Sequence, residues 1–168
     1  MLSVINRSEH WAAAFFGDVI IKIFRTVTAV LLIMWRGLIF YMSSKNETAS
    51  SNTSGQFAAE ILKIFYPDFN NLSAERQKLL VSSIQFIVRK AAHFTLYAVL
   101  GGLSFLTFIS YNGLKLKTRL SVSAAVCLVY AASDEFHQYF VPGRSCELRD
   151  VLIDFSGSLA AILIFYFI

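Results

Sequence analysis

The sequence predicts an all-α membrane protein, a bundle of about four transmembrane helices. An N-terminal interfacial helix and a short amphipathic helix in the first outer loop complete the predicted fold. The first observation is composition: 56% of the 168 residues are hydrophobic, 16 are Phe and only two are Pro, which is too apolar for an ordinary soluble domain of this size. The second is that four long apolar runs are separated by basic turns or polar loops, as in helices that span a bilayer.

The first predicted element mixes charged and apolar positions over residues 1–25. This composition favours a helix that lies in the membrane interface or one that extends the first span inward. Residues 26–42 form the first apolar run, interrupted only by Arg36, and are short for a bilayer core. We therefore divide the chain into an N-terminal amphipathic extension, residues 1–25, and a transmembrane domain, residues 26–168.

The region between the first two spans combines a loop with the start of a helix. Residues 43–55 are rich in Ser, Thr and Asn and predict a loop. Residues 56–66 have the spacing of a short amphipathic helix, which Pro67 ends. Ser73 is then placed to cap the next helix, which should continue into the second span.

Three further apolar runs complete the bundle. The second span is predicted over residues 91–111 and the last over residues 151–168. Between them, residues 120–133 form the third span, whose helix should continue to Tyr139 before Pro142 breaks the pattern.

Basic residues predict the orientation of the bundle. Lys22 and Arg25 precede the first span, and Lys115, Lys117 and Arg119 lie between the second and third. Two crossings separate these groups, so they should lie on the same side, which the positive-inside rule assigns to the cytoplasm. Both termini are then predicted to be cytoplasmic, in a multi-pass protein of a bacterial inner or plasma membrane.

The charge and cysteine content exclude other classes of protein. The formal net charge is +4, but the Lys and Arg residues lie between apolar segments instead of forming a basic face with interleaved aromatics, so no nucleic-acid partner is expected. Cys127 lies in an apolar run and Cys146 in a polar loop, which predicts two unpaired thiols and no disulfide framework.

Ionisable side chains at the edges of the apolar runs mark the candidate site, because such groups are costly at membrane depth and usually serve function. They fall on three helical stripes that can meet in one outward-facing pocket. From acid–base chemistry, the candidate catalytic residues are His93, His137, Asp134 and Glu135. The candidate substrate-binding residues are Lys90, Tyr97, Gln138, Arg144, Asp150 and Asp154. No HExxH or comparable spacing is present, so neither a metal nor a cofactor is expected.

The residues around these positions resemble a known family. The strings RKAAHFTLYAVLG (89–101) and SDEFHQYFVPGR (133–144), followed by Asp150, Asp154 and Gly157, are similar to the VanZ-like membrane protein family. The resemblance covers roughly residues 30–165 and includes FYMSS (40–44). It implies a small protein of the bacterial cell envelope. The family's namesake is associated with resistance to teicoplanin, a lipid-bearing glycopeptide antibiotic.

Three functional interpretations remain open at this stage. The pocket could process a membrane-anchored phosphate or cell-wall lipid, or bind an anionic envelope ligand without turning it over. Alternatively, the polar residues could only specify helix packing, since buried ionic groups often have that role. The predicted partners are membrane lipids and a lipid-linked cell-wall precursor or lipoglycopeptide. Whether the protein is an enzyme is left open.

Overall fold

The computed structural model describes the backbone of residues 2–168 and the side chains of residues 16–168. Within that part of the chain all regular structure is helical, which confirms the predicted all-α class. A 3₁₀ turn, Phe69–Asn71, lies between the second and third α-helices. The α-helices are α1 (Leu2–Ser43), α2 (Glu47–Phe65), α3 (Ala74–Ile109), α4 (Leu116–Gln138) and α5 (Leu148–Phe167).

Helix α1 runs unbroken from Leu2 to Ser43, so the predicted N-terminal helix and the first span are parts of one helix. The backbone thus favours the arrangement in which residues 1–25 extend the first span. The amphipathic pattern predicted for the start of this stretch depends on side chains before residue 16, which lie outside the described side chains. The domain division between residues 25 and 26 stays a prediction.

Helix α2 begins nine residues earlier than the predicted amphipathic helix, at Glu47 instead of residue 56. Asn46 explains the early start, because its side chain caps the helix by accepting a hydrogen bond from the Ala49 backbone N–H at 2.9 Å. Packing on α3 then holds the Ser- and Thr-rich turns in place: Gln85 Nε2 donates to the Ser51 carbonyl at 2.8 Å. Tertiary contacts here outweigh the weak helix propensity of the sequence.

Helix α3 is the centre of the bundle and contacts each of the other four helices. It begins directly after Ser73, as predicted, although the Ser73 side chain makes no capping hydrogen bond. Its main partner is α5. Lys90 pairs with Asp150 near the start of the shared interface, and Ser158 Oγ donates to the Tyr97 carbonyl at 2.9 Å further along. Both residue numbers rise together, so α3 and α5 run in the same direction.

Helix α1 runs opposite to α3. Trp35 Nε1 donates to the Leu96 carbonyl at 2.8 Å, and the Arg25 guanidinium lies 4.6 Å from the centre of the Tyr111 ring. The basic residues before the first predicted span and the basic turn after α3 therefore lie at the same end of the bundle, as the sequence predicts.

Helix α4 runs parallel to α1. The Tyr130 hydroxyl donates to the Arg36 carbonyl at 2.5 Å, and Ser43 Oγ donates to Asp134 Oδ2 at 2.8 Å. Helices α1, α3, α4 and α5 thus alternate in direction along the chain, as successive membrane crossings must.

Two glycines allow the close approach of α3 and α5. A Cβ atom at Gly101 would lie 2.2 Å from the Ser158 carbonyl oxygen, and one at Gly157 would lie 2.3 Å from that of Phe94. Both distances are far below van der Waals contact, and both neighbours are backbone atoms. Small residues at such crossings are typical of packed membrane helices.

By length and apolar composition, two helices in the described part of the chain could cross a membrane, α3 and α5. The predicted number of four spans is therefore supported in part. The other two predicted spans lie in α1 and α4, and both helices carry large apolar side chains that are more than half exposed, such as Ile33 and Met34 on α1 and Val129 and Phe136 on α4.

Candidate functional site

The predicted site residues lie near one end of the bundle, where α1 and α4 end, α5 begins and α3 passes between them. The structure divides them into contacts within the bundle and groups that face a cavity. Contacts of the first kind join α3 and α4 to α5. Lys90 forms an ion pair with Asp150, and Glu135 Oε1 accepts a hydrogen bond from the Glu147 backbone N–H at 2.8 Å. These contacts hold the start of α5, and none of these four residues lines the cavity described below.

Asp134 is 3% exposed and lies where α1 and α4 meet. Its Oδ2 accepts hydrogen bonds from Ser43 Oγ at 2.8 Å and from Gln138 Nε2 at 3.2 Å. Gln138 in turn accepts from Arg144 Nη1 at 2.7 Å. A chain of hydrogen bonds therefore connects the buried carboxylate to the guanidinium in the turn after α4.

Arg144 is half-buried and fixed by two acceptors. Besides Gln138, the backbone carbonyl of Lys45 accepts from its Nε at 3.1 Å. Burial lowers the pKa of Arg144, as does nearby Arg89, while Asp134 and two glutamates oppose the shift. A guanidinium keeps its proton under such conditions, so Arg144 is a fixed cation with one terminal nitrogen, Nη2, outside these two hydrogen bonds.

His93 faces α5 with one ring nitrogen. Its Nδ1 lies 3.4 Å from Asp154 Oδ1, slightly longer than a well-formed hydrogen bond, and Asp154 is 1% exposed. Tyr97, one turn along α3, is fully buried. Its hydroxyl lies close to the Asp134 carboxyl group, although within this cluster the Tyr97 hydroxyl, Asp134 Oδ1 and Asp154 Oδ1 form no well-aligned hydrogen bond with a described residue.

His137 lies outside this cluster. Its ring is 4.4 Å from that of Phe40, centre to centre, and its Nε2 is 3.1 Å from Ser44 Oγ. The Ser44 hydroxyl donates to the Phe40 carbonyl at 2.7 Å, so Ser44 is placed to accept a hydrogen bond from His137. That direction does not activate a serine nucleophile, which would have to donate to the base.

A cavity of about 270 Å³ opens between α1, α2 and α3, and we call it the α1–α2–α3 cavity. Much of its wall is apolar and includes Met42, Phe57, Ile61, Ala92 and Leu96. Its polar groups include Ser43, Lys45, Arg89, His93, Tyr97 and Arg144. Of the residues predicted from sequence, His93, Tyr97 and Arg144 therefore face one space.

Sequence reasoning missed three of these polar groups. Arg89 precedes Lys90 in the family-like string but lies about 100° further around the helix, so it faces the cavity while Lys90 faces α5. Lys45 and Ser43 belong to the stretch predicted as a loop after the first span. The FYMSS string was the available signal for Ser43, although nothing in the sequence pairs it with Asp134.

Comparison with known proteins identifies the family. A family model described as VanZ/LLP1 matches residues 27–168. The chain belongs to the VanZ-like family. The match begins within α1 and includes the whole cavity and the cluster behind it. No curated protein and no solved structure shows significant similarity to this VanZ-like chain.

The VanZ-like domain contains no group of three or more His, Cys, Asp and Glu side chains arranged to hold a metal ion, within the residues the structure describes. The polar residues that line the α1–α2–α3 cavity are instead three cationic side chains, one histidine and several hydroxyl-bearing residues, next to an apolar wall. Such a surface is suited to an anion that carries a hydrocarbon chain.

Proposed function

We propose that this VanZ-like protein is a multi-pass envelope membrane protein whose α1–α2–α3 cavity binds an anionic lipid or lipid-like amphiphile. The observation that carries the proposal is the composition of the cavity: an apolar wall next to three cationic side chains, Lys45, Arg89 and Arg144. Membrane phospholipids, lipid-linked cell-wall precursors and acylated glycopeptides all combine a polar headgroup with a hydrocarbon chain. The shared chemistry defines the ligand class.

The cationic side chains would bind the ligand's headgroup, and the apolar wall would contact its hydrocarbon chain. Arg144 offers a planar, fixed donor group whose Nη2 is outside its hydrogen bonds to the protein and can donate to phosphate or carboxylate oxygens. Phe57 and Ile61 of α2 and Leu96 of α3 line the apolar part. A volume of about 270 Å³ holds roughly nine water-sized groups, enough for one headgroup with the first part of one chain.

The alternative interpretation, that polar residues only specify helix packing, applies to residues outside the cavity. The Lys90–Asp150 pair and the hydrogen bond from the Glu147 backbone to Glu135 join helices and do not face the cavity. We assign those groups to helix packing, and we assign Arg144, Arg89 and Lys45 to the ligand.

The proposal includes four crossings of a bacterial cytoplasmic membrane, and the alternating helix directions and the exposed apolar faces of α1, α4 and α5 support it. The basic end, with Arg25 beside Tyr111, is then cytoplasmic. The cavity opens at the opposite end, toward the outer leaflet.

The native cysteines provide a test of this orientation. Cys146 is exposed in the turn before α5, whereas Cys127 is buried. A membrane-impermeant maleimide should label Cys146 in intact spheroplasts. Asn112→Cys in a Cys146→Ser background should be labelled only after lysis. The reverse pattern would place the cavity on the cytoplasmic side.

Filling the cavity tests ligand binding directly. Ala92 lines the α1–α2–α3 cavity and neighbouring Ala91 does not, so Ala92→Trp and Ala91→Trp add the same ring inside and outside it. Ala92→Trp should lower the affinity for fluorescent lysophosphatidate in detergent micelles by about tenfold or more, because the indole occupies the ligand's space. The measurement is an equilibrium titration followed by fluorescence anisotropy.

Lysophosphatidylcholine with the same chain provides the headgroup control, because its headgroup has no net charge. It should bind more weakly than lysophosphatidate to the unmodified protein. Equal affinity of the two tryptophan variants, or equal affinity for the two lipids, would refute binding of an anionic amphiphile in this cavity.

A further inference from the structure

His93 is the one histidine among the described residues that lines the α1–α2–α3 cavity. Its Nδ1 faces Asp154 at 3.4 Å, which leaves Nε2 as the ring nitrogen that can meet a ligand. A carboxyl group that accepts a hydrogen bond from one imidazole nitrogen fixes the tautomer and leaves the lone pair on the other nitrogen. Asp154 is 1% exposed, so water competes little for it.

We propose that His93, oriented by Asp154, is a general base that hydrolyses the phosphate ester of a lipid bound in this cavity. The inference rests on the proposed function, since it needs an anionic lipid in place. It adds a reaction class and a substrate class: hydrolysis of a phosphate monoester carried on a hydrocarbon chain.

The cations favour phosphate over carboxylate. Arg89 and Arg144 both line the cavity and lie close enough to repel each other, so a phosphate with two negative charges matches them better than a single carboxylate does. The Lys45 ammonium lies 5.2 Å from the centre of the Tyr41 ring and would have to turn from it to reach the ligand. Phosphoryl transfer depends mainly on positioning and on stabilising charge on the non-bridging oxygens, and the guanidinium of Arg144, which two hydrogen bonds hold in place, is suited to both.

The reaction needs only water as co-substrate. A water oxygen attacks phosphorus while His93 Nε2 takes a proton from that water. The bond between phosphorus and the ester oxygen breaks, and its electron pair stays on the lipid alcohol oxygen, which takes a proton from solvent at the cavity mouth. His93 then releases its proton to solvent. The products are the lipid alcohol and inorganic phosphate.

Helix α5 contributes to the reaction only by positioning His93. Asp154 does not line the cavity and acts through His93, so it is a positioning residue. The 3.4 Å separation should shorten when substrate is bound, as catalytic hydrogen bonds commonly do.

The test measures inorganic phosphate release from lysophosphatidate by the whole protein in detergent micelles, alongside binding of the same lipid. His93→Gln should lower the release rate by about a hundredfold or more, with lysophosphatidate still bound. Thr95→Val changes an exposed position two residues away and should leave the rate unchanged. Added imidazole should restore part of the activity of His93→Ala, which no purely structural role of His93 would allow.

The outcomes separate the two proposals. If the unmodified protein binds lysophosphatidate but releases no phosphate, His93 is not a catalytic base and the binding function stands. If it does not bind lysophosphatidate, both proposals fail. If His93→Gln releases phosphate at the unmodified rate, the reaction does not depend on His93 and the inference is refuted.

Discussion

Arg144→Glu should weaken lysophosphatidate binding by about a hundredfold, because it removes charge-assisted hydrogen bonds and places a like charge beside the phosphate. Arg144 is held by Gln138 and by the Lys45 carbonyl, so its cationic group is already positioned when the ligand arrives. Binding therefore loses little conformational entropy at this residue. The affinity is measured by fluorescence anisotropy titration in detergent micelles.

Arg144→Lys keeps the charge but loses the planar donor group, and should weaken binding by about tenfold. Arg149→Glu is the matched control, since it makes the same change of net charge at a side chain that is 59% exposed and lies away from the cavity. Arg149→Glu should bind the lipid as the unmodified protein does. Equal losses in Arg144→Glu and Arg149→Glu would indicate a general electrostatic effect and remove Arg144 from the site.

A structural role for Arg144 makes a different prediction. Arg144 forms no ion pair with a described carboxylate; its hydrogen bonds go to a side-chain amide and a backbone carbonyl. Neutralising Asp150, which makes no contact with Arg144, in an Arg144→Ala background should therefore fail to restore thermal stability. Restoration by Asp150→Asn would indicate a coupled ionic network.

Sequence patterns predicted the elements of this fold well because their signals are local. Pro67 and Ser73 define the end of α2 and the start of α3 within a residue or two, since proline restricts the residue before it and serine favours a helix start. The early start of α2 could not be predicted in the same way. It depends on Asn46 acting as a cap and on Gln85 reaching across from α3.

The candidate site shows the same limit. Helical spacing correctly placed Lys90, His93 and Tyr97 on one face of α3, and each of them contacts α5. Helical spacing alone does not show which neighbouring helix or cavity a face of α3 contacts. The face of Lys90 meets the acidic start of α5, whereas Arg89, on the neighbouring face, reaches the cavity.

Contacts between distant segments were beyond sequence reasoning for a related reason. Ser43 and Asp134 are 91 residues apart and are joined by a single hydrogen bond. Neither the FYMSS string nor the polar residues at the end of the third predicted span contain information about that contact. Only the parallel packing of α1 against α4 brings the two together.

Gly157→Ala should cause a larger loss of stability than any other glycine-to-alanine change in the described helices except that at Gly101. The new Cβ would lie 2.3 Å from the Phe94 carbonyl oxygen, and a backbone atom cannot move aside without separating α3 from α5. Overpacking of a close helix contact costs typically about 1–3 kcal/mol. A lower Tm in detergent, followed by circular dichroism at 222 nm, is the expected result.

Gly37→Ala is the matched control, because no heavy atom lies within 4 Å of the position its Cβ would take. Alanine is the better helix former, so Gly37→Ala should keep or slightly raise the Tm, by roughly 0.5–1 kcal/mol of stability. The contrast separates a clash from a general effect of removing glycine. Equal Tm values for Gly157→Ala and Gly37→Ala would mean that the helices do not cross as closely as described.

Gly157→Ala should also change the contact between His93 and Asp154. Gly157 lies one turn after Asp154, and Phe94 is next to His93, so a separation at this crossing also lengthens the contact between His93 and Asp154. If His93 depends on that contact, Gly157→Ala should reduce phosphate release more than lysophosphatidate binding when both are measured below the Tm of the variant. Arg144 and the apolar wall belong to other elements and should still hold the lipid. Equal reductions in release and binding would instead show that the crossing supports the whole cavity and not the His93–Asp154 pair in particular.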